Sequence, residues 1–176
     1  SCTTNNLAQM AKVLEEAYGI RSGFMNTVHA GTNDMVTRDQ IHPDLRRARS
    51  ADYNIIPTTT GAAKAIGLVI PELAGKLDGM SNRVPVEDGS ITYLITILEN
   101  MPDPKSAEHR AELIAEINAH FKRYAQGELS HTLEYTEAPI VSQDVIGNPK
   151  SAVLDGLVTD VMPGGLTRTG SWYDNE

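Results

Sequence analysis

The chain has 176 residues, 40% hydrophobic and 22% charged, with a net charge of -8, a globular composition in the size range of one domain. The acidic balance argues against broad nucleic-acid binding, which needs a basic face, and no apolar run is long enough to cross a membrane. The lone cysteine, Cys2, excludes an intrachain disulfide; with no export signal in these residues, the expected compartment is the reducing cytoplasm.

The first stretch, TTNNLAQMAKVLEEAYGI, predicts a helix, because Leu7, Met10, Ala11, Val13, Leu14 and Ala17 keep a helical rhythm. Thr3, Thr4 or Asn5 is expected to cap it, and Gly19 to close it in the left-handed conformation. GFMNTVHA follows as a short strand. Residues 31–52 are polar and irregular, with one helical turn expected at DLRRAR. Loops of that length are usually functional. NIIPTTTGAAKAIGLVIPEL reads as a Thr/Gly-rich turn opening a second helix from Gly61 or Ala62 to about Leu73, weakened by Pro71.

DGMSNRVPV and SITYLITIL are expected strands, the second rich in β-branched residues. KSAEHRAELIAEINAHFKRYAQG is the clearest amphipathic helix, with Leu113, Ile114, Ile117 and Phe121 as its buried stripe and Gly127 as its end. LEYTEAPIVSQDVI, SAVLDGLVTDVM and LTRTGSWYD are three further strand-like stretches separated by turns. The order lacks a regular βαβ alternation. It predicts an α+β fold: a mixed, largely antiparallel sheet with helices packed on one face.

Cys2 precedes the first helix, where the macrodipole and free N–H groups favour a thiolate; the plainer reading is a small buried hydrophobe. His29 ends a strand at the mouth of the long loop, placed to take a proton and return it, although a surface or core role is commoner for any one histidine. His42, His109, His120 and His131 keep that plainer reading, and no metal-ligand spacing links these residues. In PTTTGAAKA, hydroxyls and a glycine open a helix, an arrangement that offers N–H groups to an anion; capping alone needs only one threonine. Thr3 and Thr4 repeat the pattern. DLRRARS and Arg83 supply positive charge suited to phosphate, or to pairing with surface carboxylates. Nucleophile, base and anion anchors together point to acyl chemistry on a phosphorylated substrate.

SCTTN, TVHAGTND, DLRRARSA, NIIPTTTGAAKAIGLVIPELAGKLDGM, NRVPV and SWYDNE, in that order along the whole chain, closely resemble the phosphorylating glyceraldehyde-3-phosphate dehydrogenases. The resemblance covers the catalytic domain of that family. It implies that residues 1–176 form one catalytic domain cut from a longer chain, preceded by a Rossmann domain and followed by a terminal helix.

By the same resemblance Cys2 matches the nucleophile and His29 the base that activates it and assists hydride departure. Thr32 and Arg83, with Arg47, match the pocket for the substrate's own phosphate. Ser1, Thr3, Thr60 and Gly61 match the pocket for the attacking inorganic phosphate. Asn175 matches the contact to the nicotinamide amide of NAD, with NADP left open because the family sets that preference in the preceding domain. The loop of residues 31–52 resembles one that lines a neighbouring subunit's cofactor site in a homotetramer.

Three departures stand out. Asn6 replaces a second, non-catalytic cysteine; Gly31 stands where most members carry tyrosine; and NRVPVEDGSITYL varies a strand-linking turn. The implied activity is oxidative phosphorylation of glyceraldehyde 3-phosphate in glycolysis, with the isolated domain expected to be inactive. The alternatives are an erythrose-4-phosphate dehydrogenase-like enzyme, which the intact PTTTGAAKA disfavours, and a non-catalytic binding domain, for which Gly31 is the one supporting feature.

Overall fold

The computed structural model describes all residues, 1–176. Helix α1 spans Cys2–Tyr18, and its cap is Ser1, whose side chain accepts the Thr4 N–H. The helix therefore starts before the three residues expected to cap it, and Thr3 lies inside its first turn with its hydroxyl released from capping. Gly19 has φ 72 but ψ 126; the chain leaves extended rather than through a left-handed turn, and strand β1 (Ile20–His29) begins at once. That is three residues earlier than GFMNTVHA predicts.

Strand β2 (Ile56–Thr59) replaces the expected turn before the second helix. It is an edge strand pairing with β3 alone, a place that tolerates the missing N–H of Pro57. Helix α2 spans Ala62–Val69 and stops short of Leu73, because Pro71 starts a separate single turn of 3-10 helix through Leu73. Strand β4 (Ser90–Leu98) follows as predicted, whereas β3 (Leu77–Arg83) stops three residues short of the end of DGMSNRVPV, where Pro85 follows. In helix α3 (Ala107–Gln126), Leu113, Ile117 and Phe121 are buried, while Ile114 only borders the core.

The three C-terminal stretches resolve into four strands: β5 (Leu133–Thr136), β6 (Ala152–Asp155), β7 (Asp160–Met162) and β8 (Leu166–Tyr173). Asp155 accepts the Leu157 N–H in the turn that splits SAVLDGLVTDVM in two. The remainder of LEYTEAPIVSQDVI contains a 3-10 turn at Ser142–Val145 instead of strand. Residues 31–55 carry no regular element, and a turn with Ala48 N–H on Asp44 O stands at DLRRAR as expected.

The eight strands form one sheet in the order β2-β3-β1-β4-β8-β6-β5, with β7 on β8. Only β1–β3 and β5–β6 pair in parallel; the remaining pairs are antiparallel. Alternation sets the faces. Met25, Thr27, Leu94 and Thr92 are buried, whereas Phe24 on β1 is exposed and Ile95 opposite it on β4 is half-exposed. The three helices cover the first face, giving one core in which Leu7, Met10 and Leu14 of α1 meet Met25, Leu94, Ile117 and Phe121. The expected α+β architecture is what forms, and no helix is long and apolar enough to cross a membrane.

Chain direction places the polar ends together. The parallel register puts His29, last in β1, beside Arg83, last in β3. The antiparallel register puts Tyr173, last in β8, opposite Ser90, first in β4. The start of α1 arrives at this same end of the sheet, because the side chain of Cys2 meets His29 there.

Candidate active site

Cys2 is half-buried at the first position of α1, and its Sγ lies 3.5 Å from His29 Nε2. The first N–H groups of a helix have no intrahelical acceptor and offer themselves to developing negative charge beside that sulfur. His29 is buried, and its ring meets the Tyr173 ring edge-on at 5.9 Å between centroids. Burial first, then the nearby Arg83 charge, hold its pKa below the ordinary value, against a hydrogen bond to Ala30 O that favours the cation.

The second ring nitrogen has two claimants. Nδ1 lies 2.8 Å from Ala30 O and 2.6 Å from Arg83 Nη1. A guanidinium only donates and a carbonyl only accepts, so a neutral ring satisfies one at a time. With Arg83 donating to Nδ1, the ring proton sits on Nε2 and faces sulfur. With Nδ1–H donating to Ala30 O, Nε2 is a free base. Arg83 Nη1 also donates to Ala30 O at 3.0 Å and to Thr32 Oγ1 at 3.4 Å, while its Nε is buried without an acceptor.

Around Arg83 stands a cationic crevice that already holds one of the protein's own carboxylates. Asp34 accepts from Thr32 Oγ1 and from Arg47 Nη1, the latter at 3.1 Å. The Thr32 hydrogen bond, followed by the Arg83 and Arg47 charges, outweighs partial burial and keeps its pKa below the usual carboxylate value. Arg47 is steadied by Nε donating to Thr58 Oγ1 at 3.0 Å, a contact that needs β2.

Cys2, His29, Thr32, Arg83 and, through Asp34, Arg47 thus join in one network. Asn175 is tied to it through Ser90, whose hydroxyl accepts the Ala30 N–H at 3.0 Å and donates to Asn175 Oδ1 at 2.7 Å. Asn175 Oδ1 also accepts the Gly89 N–H at 3.1 Å, so Nδ2, which donates to the exposed Glu176 carboxylate at 3.5 Å and has a second N–H, is the end that can reach a ligand. Cys2, Asn148, Tyr173 and Asn175 share an opening of about 600 Å³.

Ser1, Thr60 and Gly61 lie outside this network. Ser1 and Gly61 are exposed, and Thr60 Oγ1 accepts the Ala62 N–H at the start of α2. Thr3 is 5% exposed and its hydroxyl bonds Tyr173 at 2.9 Å, so its side chain lies against the core. Its position inside the first helical turn, facing β8, is the reason.

Sequence reasoning did not pick out Asp34 or Tyr173. Both fall within quoted stretches, TVHAGTND and SWYDNE, which were the available signal. Tyr173 OH bonds Thr27 Oγ1 at 2.9 Å as well as Thr3, and Thr27 in turn donates to Ile91 O. The tyrosine thereby fastens the start of α1 to β1 beneath the Cys2–His29 pair.

Comparison with known proteins gives one family match, to the glyceraldehyde 3-phosphate dehydrogenase C-terminal domain, over residues 1–175. The chain is 52% identical over 176 residues to glyceraldehyde-3-phosphate dehydrogenase 2 of Streptomyces avermitilis, covering 100% of this chain and 50% of that protein. It is 52% identical over 177 residues to glyceraldehyde-3-phosphate dehydrogenase of Borreliella burgdorferi, and 49% over 176 residues to that of Geobacillus stearothermophilus, with the same coverage. The chain spans about half the length of the curated relatives it matches.

Proposed function

The chain belongs to the glyceraldehyde 3-phosphate dehydrogenase C-terminal domain family, and from that premise we propose that it is the catalytic domain of a phosphorylating, NAD-dependent glyceraldehyde-3-phosphate dehydrogenase of glycolysis. The single observation that carries the reading is the 3.5 Å approach of Cys2 Sγ to His29 Nε2 at a helix start, one side chain away from the Arg83–Thr32 anchor. A main hydrophobic core that joins all three helices to the sheet, beside a small satellite of Met35, Ala51 and Ile56, supports residues 1–176 acting as one domain.

The chemistry runs on these residues. The substrate phosphate displaces the Asp34 carboxylate and takes Arg83, Thr32 and Arg47. With Arg83 drawn onto that anion, His29 Nδ1–H turns to Ala30 O and Nε2 becomes the base. Sulfur attacks the aldehyde carbon as its proton passes to Nε2, forming a hemithioacetal whose oxygen is held by the N–H of Cys2 and by the imidazolium. The imidazolium returns that proton to the oxygen, and the neutral ring then takes the hydroxyl proton as the carbon gives up a hydride and becomes a thioester. When bound, the dinucleotide supplies the hydride acceptor. Asn175 Nδ2, with its amide plane fixed by Ser90 and Gly89, suits the oxygen of a nicotinamide carboxamide; NADP fits that contact equally well. Inorganic phosphate, held at Ser1, Thr3, Thr60 and Gly61, breaks the thioester, and cysteine leaves to give the acyl phosphate 1,3-bisphosphoglycerate.

The rest of the cofactor site belongs to a Rossmann domain of the full-length protein, which makes the isolated domain inactive. A homotetramer belongs to the same reading. Ile41, Leu45, Tyr53 and Ile55 in the segment of residues 31–55 are strongly exposed, an apolar set that burial in an assembly relieves. A cysteine without a disulfide partner agrees with a cytoplasmic setting. The test uses the full-length protein: phosphate-dependent NAD reduction with glyceraldehyde 3-phosphate, abolished by stoichiometric iodoacetamide on Cys2. Turnover that survives complete alkylation of Cys2 overturns the reading.

A further inference from the structure

A second opening, of about 500 Å³, lies on the other flank of the anion crevice, lined in part by Gly31, Thr32, Asn33, Asp52, Glu87 and Glu176. Thr32, which accepts from Arg83 Nη1 at 3.4 Å, lines the space next to Gly31, so the opening borders the anion anchor. Nothing in the backbone demands glycine there. Its φ is not positive, and its N–H donates to Val86 O at 2.9 Å, a bond any residue but proline makes. A Cβ built on it would meet only Val86 O, at 3.8 Å, which is ordinary contact. A side chain at this position therefore has room, and would take part of the opening that Gly31 lines.

The lining decides what fits. Three carboxylates, an amide and threonine hydroxyls accept hydrogen bonds from alcohols, while the carboxylates repel a phosphate. The substrate's anion stays on Arg83, and uncharged hydroxylated carbon has room beside it.

Resting on the aldehyde chemistry proposed above, we infer that Gly31 sets substrate length in this protein, the space it leaves admitting aldose phosphates longer than three carbons by housing the added hydroxylated carbon. The same hydroxyl-accepting surface suits the ribose of a dinucleotide, and the experiment separates the two.

In the full-length protein, kcat/KM is measured for glyceraldehyde 3-phosphate and for a four-carbon aldose 4-phosphate, with KM for NAD alongside, in wild type, Gly31→Ala and Gly31→Phe. Wild type is expected to use the four-carbon substrate within about tenfold of the three-carbon one, the scale of discrimination a single carbon supports. Gly31→Phe lowers the four-carbon to three-carbon ratio by about tenfold or more, and Gly31→Ala lowers it less, in the same direction. Gly31→Ala, which makes no close contact, carries the test if the larger residue prevents folding. A ratio unchanged in both variants overturns the inference, as does a rise in KM for NAD that is equal with either aldehyde, which assigns the space to the ribose. Failure of wild type to oxidise either aldehyde overturns the parent reading, before any variant is compared.

Discussion

Arg83 Nη1 stands 2.6 Å from His29 Nδ1 and 3.4 Å from Thr32 Oγ1, so one guanidinium touches both the candidate base and the candidate anion anchor. Register explains it: His29 and Arg83 are partners in the parallel β1–β3 pair, and directly paired residues project to the same face. Because burial and Arg83 together lower the His29 pKa, the ring stays neutral, and able to accept a proton, to lower pH than an exposed histidine. Arg83→Ala removes the repelling charge, so the His29 pKa rises and the acidic limb of the kcat/KM profile moves to higher pH. An NMR titration of the His29 ring in both proteins checks this. A limb that stays put or moves down refutes it.

His29→Asn keeps a polar side chain but loses the exchangeable ring proton. Turnover in the full-length protein is expected to fall by about 10²–10⁴-fold, the usual share of a general base, with alkylation of Cys2 by iodoacetamide slowed as well. Unaltered alkylation together with unaltered turnover means the 3.5 Å contact has no chemical consequence.

Tyr173→Phe deletes the hydroxyl shared by Thr3 and Thr27 at 1% exposure. Thr27 keeps its bond to Ile91 O, whereas Thr3 loses its one close partner. The cost is about 1–3 kcal/mol for the buried group left unpaired, read as a lower midpoint in chemical denaturation. Ser22→Ala, which removes a hydroxyl at an exposed position, is the control and should be neutral. Equal midpoints for the two variants would mean the Tyr173 hydroxyl fastens nothing.

Asp160 ties α3 to the β7–β8 pair through a bidentate contact with Arg110 at 2.6 and 2.7 Å. Partial burial pushes its pKa up, but the Arg110 hydrogen bonds and the Val161 N–H outweigh it and the net shift is downward. A folded value below the unfolded one means stability that is fully present above the ordinary carboxylate pKa and lost as pH falls through the folded value. Asp160→Asn is expected to cost about 1 kcal/mol at neutral pH, modest because Arg110 is half-exposed, and to flatten the stability loss on acidification. Parallel acid-denaturation curves for the two proteins would count against the pairing.

Where local chemistry is strong, the elements were legible. The apolar stripes of α1 and α3 and the β-branched run of β4 each carry their own periodicity, which survives folding because the same face is buried. Strand β2 was not legible. Pro57 and three successive threonines carry turn and cap chemistry, and the segment is a strand only because β3 offers it an edge. SAVLDGLVTDVM was misread for a similar reason, since its hydrophobic content does not reveal the bend that Asp155 stabilises. The site followed the same division. Cys2 and His29 could be singled out from helix-start and strand-end positions. Asp34 could not, because its partner Arg47 lies 13 residues on and reaches it only through the fold of the loop. The bond from Thr3 to Tyr173 was equally hidden, because its partner is 170 residues away.

By itself, then, the order of residues determined the helices, most strands, the α+β class and the chemical types on offer, since each depends on periodicity and capping within a few residues. Tertiary structure alone decided that His29, Arg83, Tyr173 and the start of α1 meet at one end of the sheet, which tautomer of His29 Arg83 favours, and that Thr3 faces inward. Those outcomes rest on strand register and chain direction, and neither is encoded in any local window.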